Sequence, residues 1–495
     1  MATAVEREHK YEGPDGFRVP DLTGVGGIDS LGDADEHELD ATYYDTGDLR
    51  LVRSGFALRR RTGGGDAGWH LKVGEGGTDR TEYRRTSAAA SPPRDLVRLA
   101  RAAARGEPVE PVARVVTRRR ERPLRGADGR VLAMLADDAV VGHDLVDGGR
   151  ISWREIEVEL VDGDDAVLSA VDRRMRNAGA REGREAKVRR VLDGRLRGLA
   201  DTAAAGAAGT VLAYVRAQRD ALLLEDPAAR EGDMDAVHDM RVAIRRLRTT
   251  LRTFRALWDQ EWIESVRGEL RWLGEQLGGV RDAQVMARRL DQAVHAEPAE
   301  LVLGPVAADI HRRLAAEGAA ALDALRTALT SDRYARLVAD LDAVVERPPA
   351  RDADRRWVVR RVRGAVRRAD RVLDAALALR RRGAGEDADR SLHEARKAYK
   401  RARYAVEVRE PVAGKPAKRL VRALKGLQDV LGDHQDSVIT RAVLRRLALA
   451  AYGEGANTFT YGLLHGRQAA ADRALTRTVS RAAAKTRRRT LRRWL

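Results

Sequence analysis

Arg154-Glu155-Ile156-Glu157-Val158-Glu159-Leu160, REIEVEL, is the stretch on which the N-terminal half turns. Successive side chains of a strand point to opposite faces. Glu155, Glu157 and Glu159 therefore share one face, and Ile156, Val158 and Leu160 the other. The apolar face must find a core, and three carboxylates in a row repel one another unless cations neutralise them. The period-2 pattern recurs along the chain. Glu6, Glu8 and Lys10 alternate with Arg7 and His9, and Arg59 and Arg61 oppose Phe56 and Leu58. Arg80, Glu82 and Arg84 share a parity, as do Arg118 and Arg120. A solvated outer face explains any one pair. Repetition over several strands favours a closed or nearly closed sheet with a charged lumen. Carboxylates there chelate Mg2+ or Mn2+, which prefer oxygen ligands, while Arg and Lys grip phosphate oxygens.

Around this stretch, Gly- and Asp-rich turns such as Gly63-Gly64-Gly65 and Asp147-Gly148-Gly149 punctuate short alternating segments, which predicts an antiparallel sheet or barrel. Short helices are expected near Pro93–Arg105 and Asp164–Ala178. From about Thr210 the chain turns Ala-, Leu- and Arg-rich with helical spacing. We expect a first domain over 1–197, a linker over 198–209 that includes TAAAGAAG, and a helical domain over 210–495.

The helical half repeats itself. VHDMRVAIRRLR (Val237–Arg248) matches LHEARKAYKRAR (Leu392–Arg403) at an offset of 155, and LGGVRD (Leu277–Asp282) matches LGDHQD (Leu431–Asp436) at 154. Two matches at nearly one offset predict two copies of a helical bundle about a pseudo-two-fold axis. His238, Arg241, Arg245 and Arg248 fall on one helix face, and His393, Arg396, Lys400 and Arg403 repeat it. Further basic stripes run through Arg356–Arg371 and Arg473–Arg493. Parallel basic stripes make a groove for a polyanion, held less tightly as salt rises. A histidine among arginines donates to phosphate when protonated.

Composition narrows the choices. The 495 residues carry a net charge of +17, with 43% hydrophobic and 34% charged residues, so a folded, multidomain chain with a polyanionic partner is expected. Aromatics are only 4%, few for a protein that stacks single-stranded nucleic acid. The absence of cysteine excludes disulfides, thiolate metal sites and a cysteine nucleophile. No signal pattern opens the chain, and no apolar run is long enough to span a bilayer, so a cytoplasmic protein with no membrane partner is expected.

The ordered set Glu6-x-Glu8-x-Lys10, Tyr43-Tyr44-Asp45-Thr46 with Leu49, GFALRRR (Gly55–Arg61), WHLK (Trp69–Lys72), Arg80 with Glu82, Arg118 with Arg120, EIEVEL and Lys187 resembles the CYTH family of triphosphate tunnel metalloenzymes. The resemblance covers roughly residues 1–190. It implies an eight-stranded antiparallel tunnel, with metal on Glu6, Glu8, Asp138, Glu157 and Glu159. It also implies phosphate held by Lys10, Arg59, Arg61, Lys72, Arg80, Arg118, Arg120 and Lys187, with Glu6, Glu8, Lys10, Arg59 and Arg61 as the catalytic set. Met134 stands where many members carry a further Glu. The two helical copies resemble the CHAD family, from about Thr210 to Leu495. That resemblance implies polyphosphate binding through the His238 and His393 stripes, with Lys400 and Gln435 departing from the family's arginines.

The whole is expected to be an α+β two-domain protein: an inorganic triphosphatase using Mg2+ or Mn2+, joined to a polyphosphate-binding domain and associated with polyphosphate granules. The alternatives are a polyphosphate-binding protein with little turnover, or a tunnel acting on thiamine triphosphate or a nucleoside triphosphate.

Overall fold

The computed structural model describes residues 2–14, 16–74, 79–183, 186–199, 206–347, 349–350, 353–383 and 385–495, and their side chains except those of 2–6, 79–80 and 471–477. Contacts divide the chain into residues 1–201 and 202–495. Among the described residues the first unit has ten antiparallel strands: β1 (Ala2–Glu12), β2 (Ile28–Leu31), β3 (Asp35–Asp45), β4 (Phe56–Thr62), β5 (Gly68–Val73), β6 (Asp79–Arg85), β7 (Glu110–Gly126), β8 (Val131–Asp144), β9 (Arg150–Leu160) and β10 (Arg181–Glu182). Neighbours run β1-β6-β5-β4-β3-β7-β8-β9, and β9 pairs again with β1. The ring thus has the eight strands expected. The two extra strands, β2 on β7 and β10 on the end of β1, are too short to show an alternation.

The ladders carry one face around the ring. Lys10 sits opposite Glu157, Ala136 opposite Glu157, Asp138 opposite Glu155 and Arg119 opposite Asp138. On the far side Leu39 pairs with Thr117, Tyr43 with Arg59, Arg59 with His70, and Lys72 with Glu82. Cross-strand partners share a face, so these charged residues all belong to the lumen. The opposite face of REIEVEL behaves as its pattern demands: Ile156 and Val158 pack in a buried cluster with Leu124, Leu135, Val167, Leu168, Val171 and Met175.

Among the described residues five helices decorate the ring: α1 (Arg50–Arg53), α2 (Arg94–Ala100), α3 (Asp165–Asn177), α4 (Lys187–Val191) and α5 (Asp193–Gly198). Helices α2 and α3 fall where the sequence predicts them. Asp164 caps α3, its carboxylate accepting from the Ala166 and Val167 amides, which seats the apolar side of α3 on the outer sheet face. Val188 of α4 and the following Leu192 join Ala41, Tyr43, Val115 and Val140 in one apolar cluster. That anchor holds α4 against the lumen and carries Lys187 into it.

The second unit is helical: α6 (Gly206–Glu231), α7 (Met234–Thr253), α8 (Gln260–His295), α9 (Val306–Thr330), α10 (Asp332–Glu346), α11 (Arg355–Arg381), α12 (Gly385–Glu407), α13 (Glu410–Ala413), α14 (Lys415–Gly453), α15 (Phe459–Thr486) and α16 (Arg489–Arg492). Helix α6 already begins at Gly206, inside the stretch expected to be linker. Packing runs α6-α7-α8-α9 in one copy and α11-α12-α14-α15 in the other, and the copies meet through α7 and α12. Among the described residues no helix is long and apolar enough to cross a membrane.

Candidate metal centre and anion-binding face

The inner face of the ring surrounds a cavity of about 370 Å3 whose wall includes Glu8, Lys10, Arg59, Arg61, Lys72 and Lys187. Glu157 and Glu159 line it too. At its acidic side Asp138, Glu155 and Glu157 are buried, with carboxylate oxygens within 4.8 Å of one another. Three cations converge on them. Lys187 Nζ lies 2.6 Å from Glu155, 2.9 Å from Asp138 and 3.0 Å from Glu157. Arg119 donates two bonds to Asp138, at 2.8 and 2.7 Å, and one to Glu157 at 2.6 Å. Lys10 donates to Glu157 and stands 3.5 Å from Glu8.

These contacts decide the protonation states. Burial alone would raise Glu157, but Lys10, Lys187 and Arg119 outweigh it and hold the carboxyl well below its usual range. Burial would lower Lys187, yet Glu155, Glu157 and Asp138 prevail and hold the ammonium well above its ordinary value.

Across the lumen Glu82, 0% exposed, is a second hub. Its carboxylate contacts His70 Nδ1 at 2.9 Å, Lys72 at 3.4 Å, Arg59 at 3.7 Å and Arg84. The other ring nitrogen of His70 lies 2.8 Å from the Asp66 carbonyl, and the Asp66 side chain pairs with Arg61. Burial, with Arg59 and Arg119 nearby, lowers Arg61 to about 9.

The lumen thus gathers Glu8, Lys10, Arg59, Arg61, Lys72, Asp138, Glu157, Glu159 and Lys187 as the sequence predicts. Glu6 and Arg80 are cross-strand partners on the same ring, but their side chains lie outside those described. Two residues correct the reading. Arg118 and Arg120 are exposed on the outer face of β7: Arg118 borders a groove with Glu38 and Ser152, and Arg120 pairs with Glu36 at 3.2 Å. The inward arginine is Arg119. Three successive arginines hide the parity of the strand, although Arg119-x-Glu121 repeats the spacing of Arg80-x-Glu82 and both of its charged groups face the lumen. Glu155, whose parity was legible, belongs with the buried carboxylates. His70 and Arg84 were missed as participants, and Met134 does lie on the inner face, opposite Glu159.

In the helical unit the two predicted stripes face one another. Lys400 is lowered to about 7, first by burial and then by Arg396, Arg245, Arg241 and Arg403, which come from both copies. The Nε groups of Arg245 and Arg396 are buried with no hydrogen-bond partner among the described residues, while Arg403 Nε stands 3.5 Å from Glu407. Arg241 bonds Asp282 at 2.7 Å, and Arg289 takes the equivalent Asp436 at 3.1 Å. Gly278 and Gly432, at one repeat position, leave room for guanidinium: a Cβ would meet Arg241 at 3.9 Å and Arg396 at 3.5 Å. His238 is lowered by burial and by Arg281 and Arg245, and His393 by burial and Lys397, with Gln435 hydrogen-bonded to it. Arg248 continues the stripe beside Arg271 and Arg267. By contrast Arg356, Arg360, Arg363, Arg367 and Arg371 are exposed on α11, as are Arg481, Lys485, Arg489 and Arg493 near the end of the chain.

Comparison with known proteins agrees with both units. The CYTH domain model matches residues 6–191 and the CHAD domain model residues 213–445. An uncharacterized Mycobacterium tuberculosis H37Rv protein, Rv2226, is 36% identical over 489 residues, spanning 94% of this chain and 93% of its own length. The CHAD domain of the plant Ricinus communis is 28% identical over 56% of this chain and 93% of its own, with a TM-score of 0.43. The Hippeastrum protein HpAC1, described as having a dominant triphosphatase activity, is 18% identical over 39% of this chain and 99% of its own, with a TM-score of 0.24. With a ring of inward charges at one end, a duplicated basic helix face at the other, and a full-length relative at this identity, the chain belongs to the family in which a CYTH domain is followed by a CHAD domain.

Proposed function

We propose that the tunnel hydrolyses inorganic triphosphate with Mg2+ or Mn2+, and that the face shared by α7 and α12 binds inorganic polyphosphate. The observation that carries the first half is one inner face on which three clustered carboxylates stand beside Lys10, Arg59, Arg61, Lys72 and Lys187. CYTH tunnel enzymes are metal-dependent triphosphatases or cyclases, and this donor set suits a hard divalent cation. The position already accepts a cation, because Lys187 Nζ sits among the same three carboxylates. Asp138, Glu155 and Glu157 would hold the metal, with Glu8, Glu159 and Glu6 continuing the acidic row. Once bound, it would polarise a phosphoryl oxygen and lower the pKa of water.

The chain's own residues do the rest. Lys10, Arg59, Arg61, Lys72 and Lys187 grip phosphate oxygens, with Arg84, Arg119 and, from its strand position, Arg80 extending the row. A water oxygen bonds to the terminal phosphorus, the bridging P–O bond breaks, and pyrophosphate leaves against this basic wall. The water's proton passes to a wall carboxylate. Met134 on the inner face, and the three cations already on the carboxylates, favour the second reading of a tunnel that binds triphosphate with little turnover. Phosphate release from triphosphate, ATP, thiamine triphosphate and long-chain polyphosphate, each with Mg2+ and Mn2+, decides between them. Release chiefly from triphosphate supports the enzyme; no release from any of them removes it.

Unpaired guanidinium donors from two copies around Lys400 support the polyphosphate reading. Such a ligand would bring the protein to polyphosphate granules of the cytoplasm. Binding by the full chain should weaken with salt and be lost on His238→Ala plus His393→Ala. Equal competition by duplex DNA would reduce it to a generic charge effect.

A further inference from the structure

We infer that the second helical copy carries a separate site for the end of a phosphate chain, a pocket between α12, α14 and α15; the inference rests on the polyphosphate reading above. A cavity of about 450 Å3 is lined there by Arg390, His393, Gln435, Arg441, Arg445 and His465. His393 begins the α12 stripe, so the pocket adjoins the row that continues through Arg396 and Lys400.

The repeat supplies the argument that these residues are not there for the fold. At the offsets that align the copies, Arg390, Arg441 and Arg445 correspond to Asp235, Ala287 and Asp291 of the first copy. These three scaffold positions therefore tolerate an acid or a methyl in α7 and α8, while α12 and α14 place three guanidinium groups around a cavity. A requirement of helix packing would have fallen on both copies alike.

The donors are also available. His393 Nδ1 and Arg441 Nε are buried with no hydrogen-bond partner among the described residues. The pocket's acids are Glu386, which is exposed, and Asp389. Asp389 is already engaged by Arg380 at 3.4 Å, His434 at 3.3 Å and Arg441 at 3.6 Å. Arg390 lies 3.5 Å from Asp387, and Arg445, like Arg390, is exposed and can swing toward a ligand. A linear stripe meets the single charge of each internal phosphate. A terminal phosphate carries a second ionisation near pH 6 and a third unshared oxygen, which convergent arginine and histidine donors recognise.

The test uses the full chain in EDTA and follows amide exchange of residues 386–393 and 435–445. Tripolyphosphate, with two ends, should protect both segments. Cyclic trimetaphosphate, with none, should not. Arg441→Gln plus Arg445→Gln should weaken this protection about 10-fold, as expected when charge-assisted bonds are lost. Binding of polyphosphate longer than about 100 units should change by less than about 3-fold, because most of its contacts lie elsewhere. Exposed Arg445→Gln alone gives a variant whose fold is not at stake. Equal protection by trimetaphosphate, or none with tripolyphosphate while residues 241–248 are protected, overturns the end site and leaves the polyphosphate reading standing. No protection of either region overturns both.

Discussion

Lys187 and Lys400 are both half-buried lysines, one among carboxylates and the other among arginines, and they are pushed in opposite directions. Lys187 is held well above its ordinary value because Glu155, Glu157 and Asp138 outweigh burial. Lys400 is lowered to about 7 because burial is compounded by four arginines. The contrast separates the two units. In the tunnel almost every cation has a carboxylate, so the lumen is charged yet largely self-neutralised. On the helical face the cations confront one another. On the proposed function, the first environment exchanges an internal cation for a metal, and the second, with few acids beside Lys400, draws in an anion from outside.

Several substitutions would sharpen or break that contrast. The largest effect is expected from Glu157→Gln, which removes the carboxylate shared by Lys10, Arg119 and Lys187: triphosphate hydrolysis should fall at least ~100-fold, measured as phosphate release. Unchanged turnover would detach the carboxylate centre from the chemistry. Lys187→Met should lower stability by about 3 kcal/mol by stranding buried carboxylates, and Mn2+ should restore the melting temperature. If Mn2+ restores nothing, Lys187 is not standing in a metal position.

Lys400→Met should act the other way, raising the melting temperature of the helical unit by about 2–4 °C as like-charge repulsion is relieved, while weakening polyphosphate binding. The pH dependence follows from the same depressed value. Between about 7 and 10.5 the unfolded chain holds a proton on this lysine that the folded chain lacks, so this group's contribution to stability rises with pH across that window. A bound polyanion restores the proton. Affinity should therefore fall as pH climbs from 6 to 8, by no more than about tenfold per unit, with calorimetric proton uptake at pH 8. For Lys187 the sign reverses: its contribution is complete below 10.5 and is lost only above that. The smallest effect is expected from Arg118→Gln plus Arg120→Gln. Activity should stay within about twofold, as for exposed ion pairs, whereas Arg119→Gln should be severe.

These arginines show where the sequence was legible. REIEVEL and Arg80-x-Glu82-x-Arg84 state their parity because charged and apolar, or charged and neutral, residues alternate. Arg118-Arg119-Arg120 has no alternation, and only the ladder opposite Asp138 tells which one turns inward. The helical stripes were legible because a second copy repeats them. What the copy does not repeat, the arginines of the pocket between α12, α14 and α15, had no internal match to mark them and are brought together only by helix packing. His70 escaped notice because its role is to reach Glu82 across a strand pair, a contact set by register.

The strand that completes the ring has a kinetic consequence. β1 pairs along its first half with β6, but its second half must wait for β9, and the Lys10–Glu157 bond spans 147 residues. During synthesis the hydrogen-bonding edge of β1 is made early and satisfied late. Closure is a non-local event of the kind that slows folding, and the unpaired edge is open to misassociation meanwhile. The alternating charges of β1, with Arg7, Glu8, His9 and Lys10 in succession, would serve as gatekeepers during that interval.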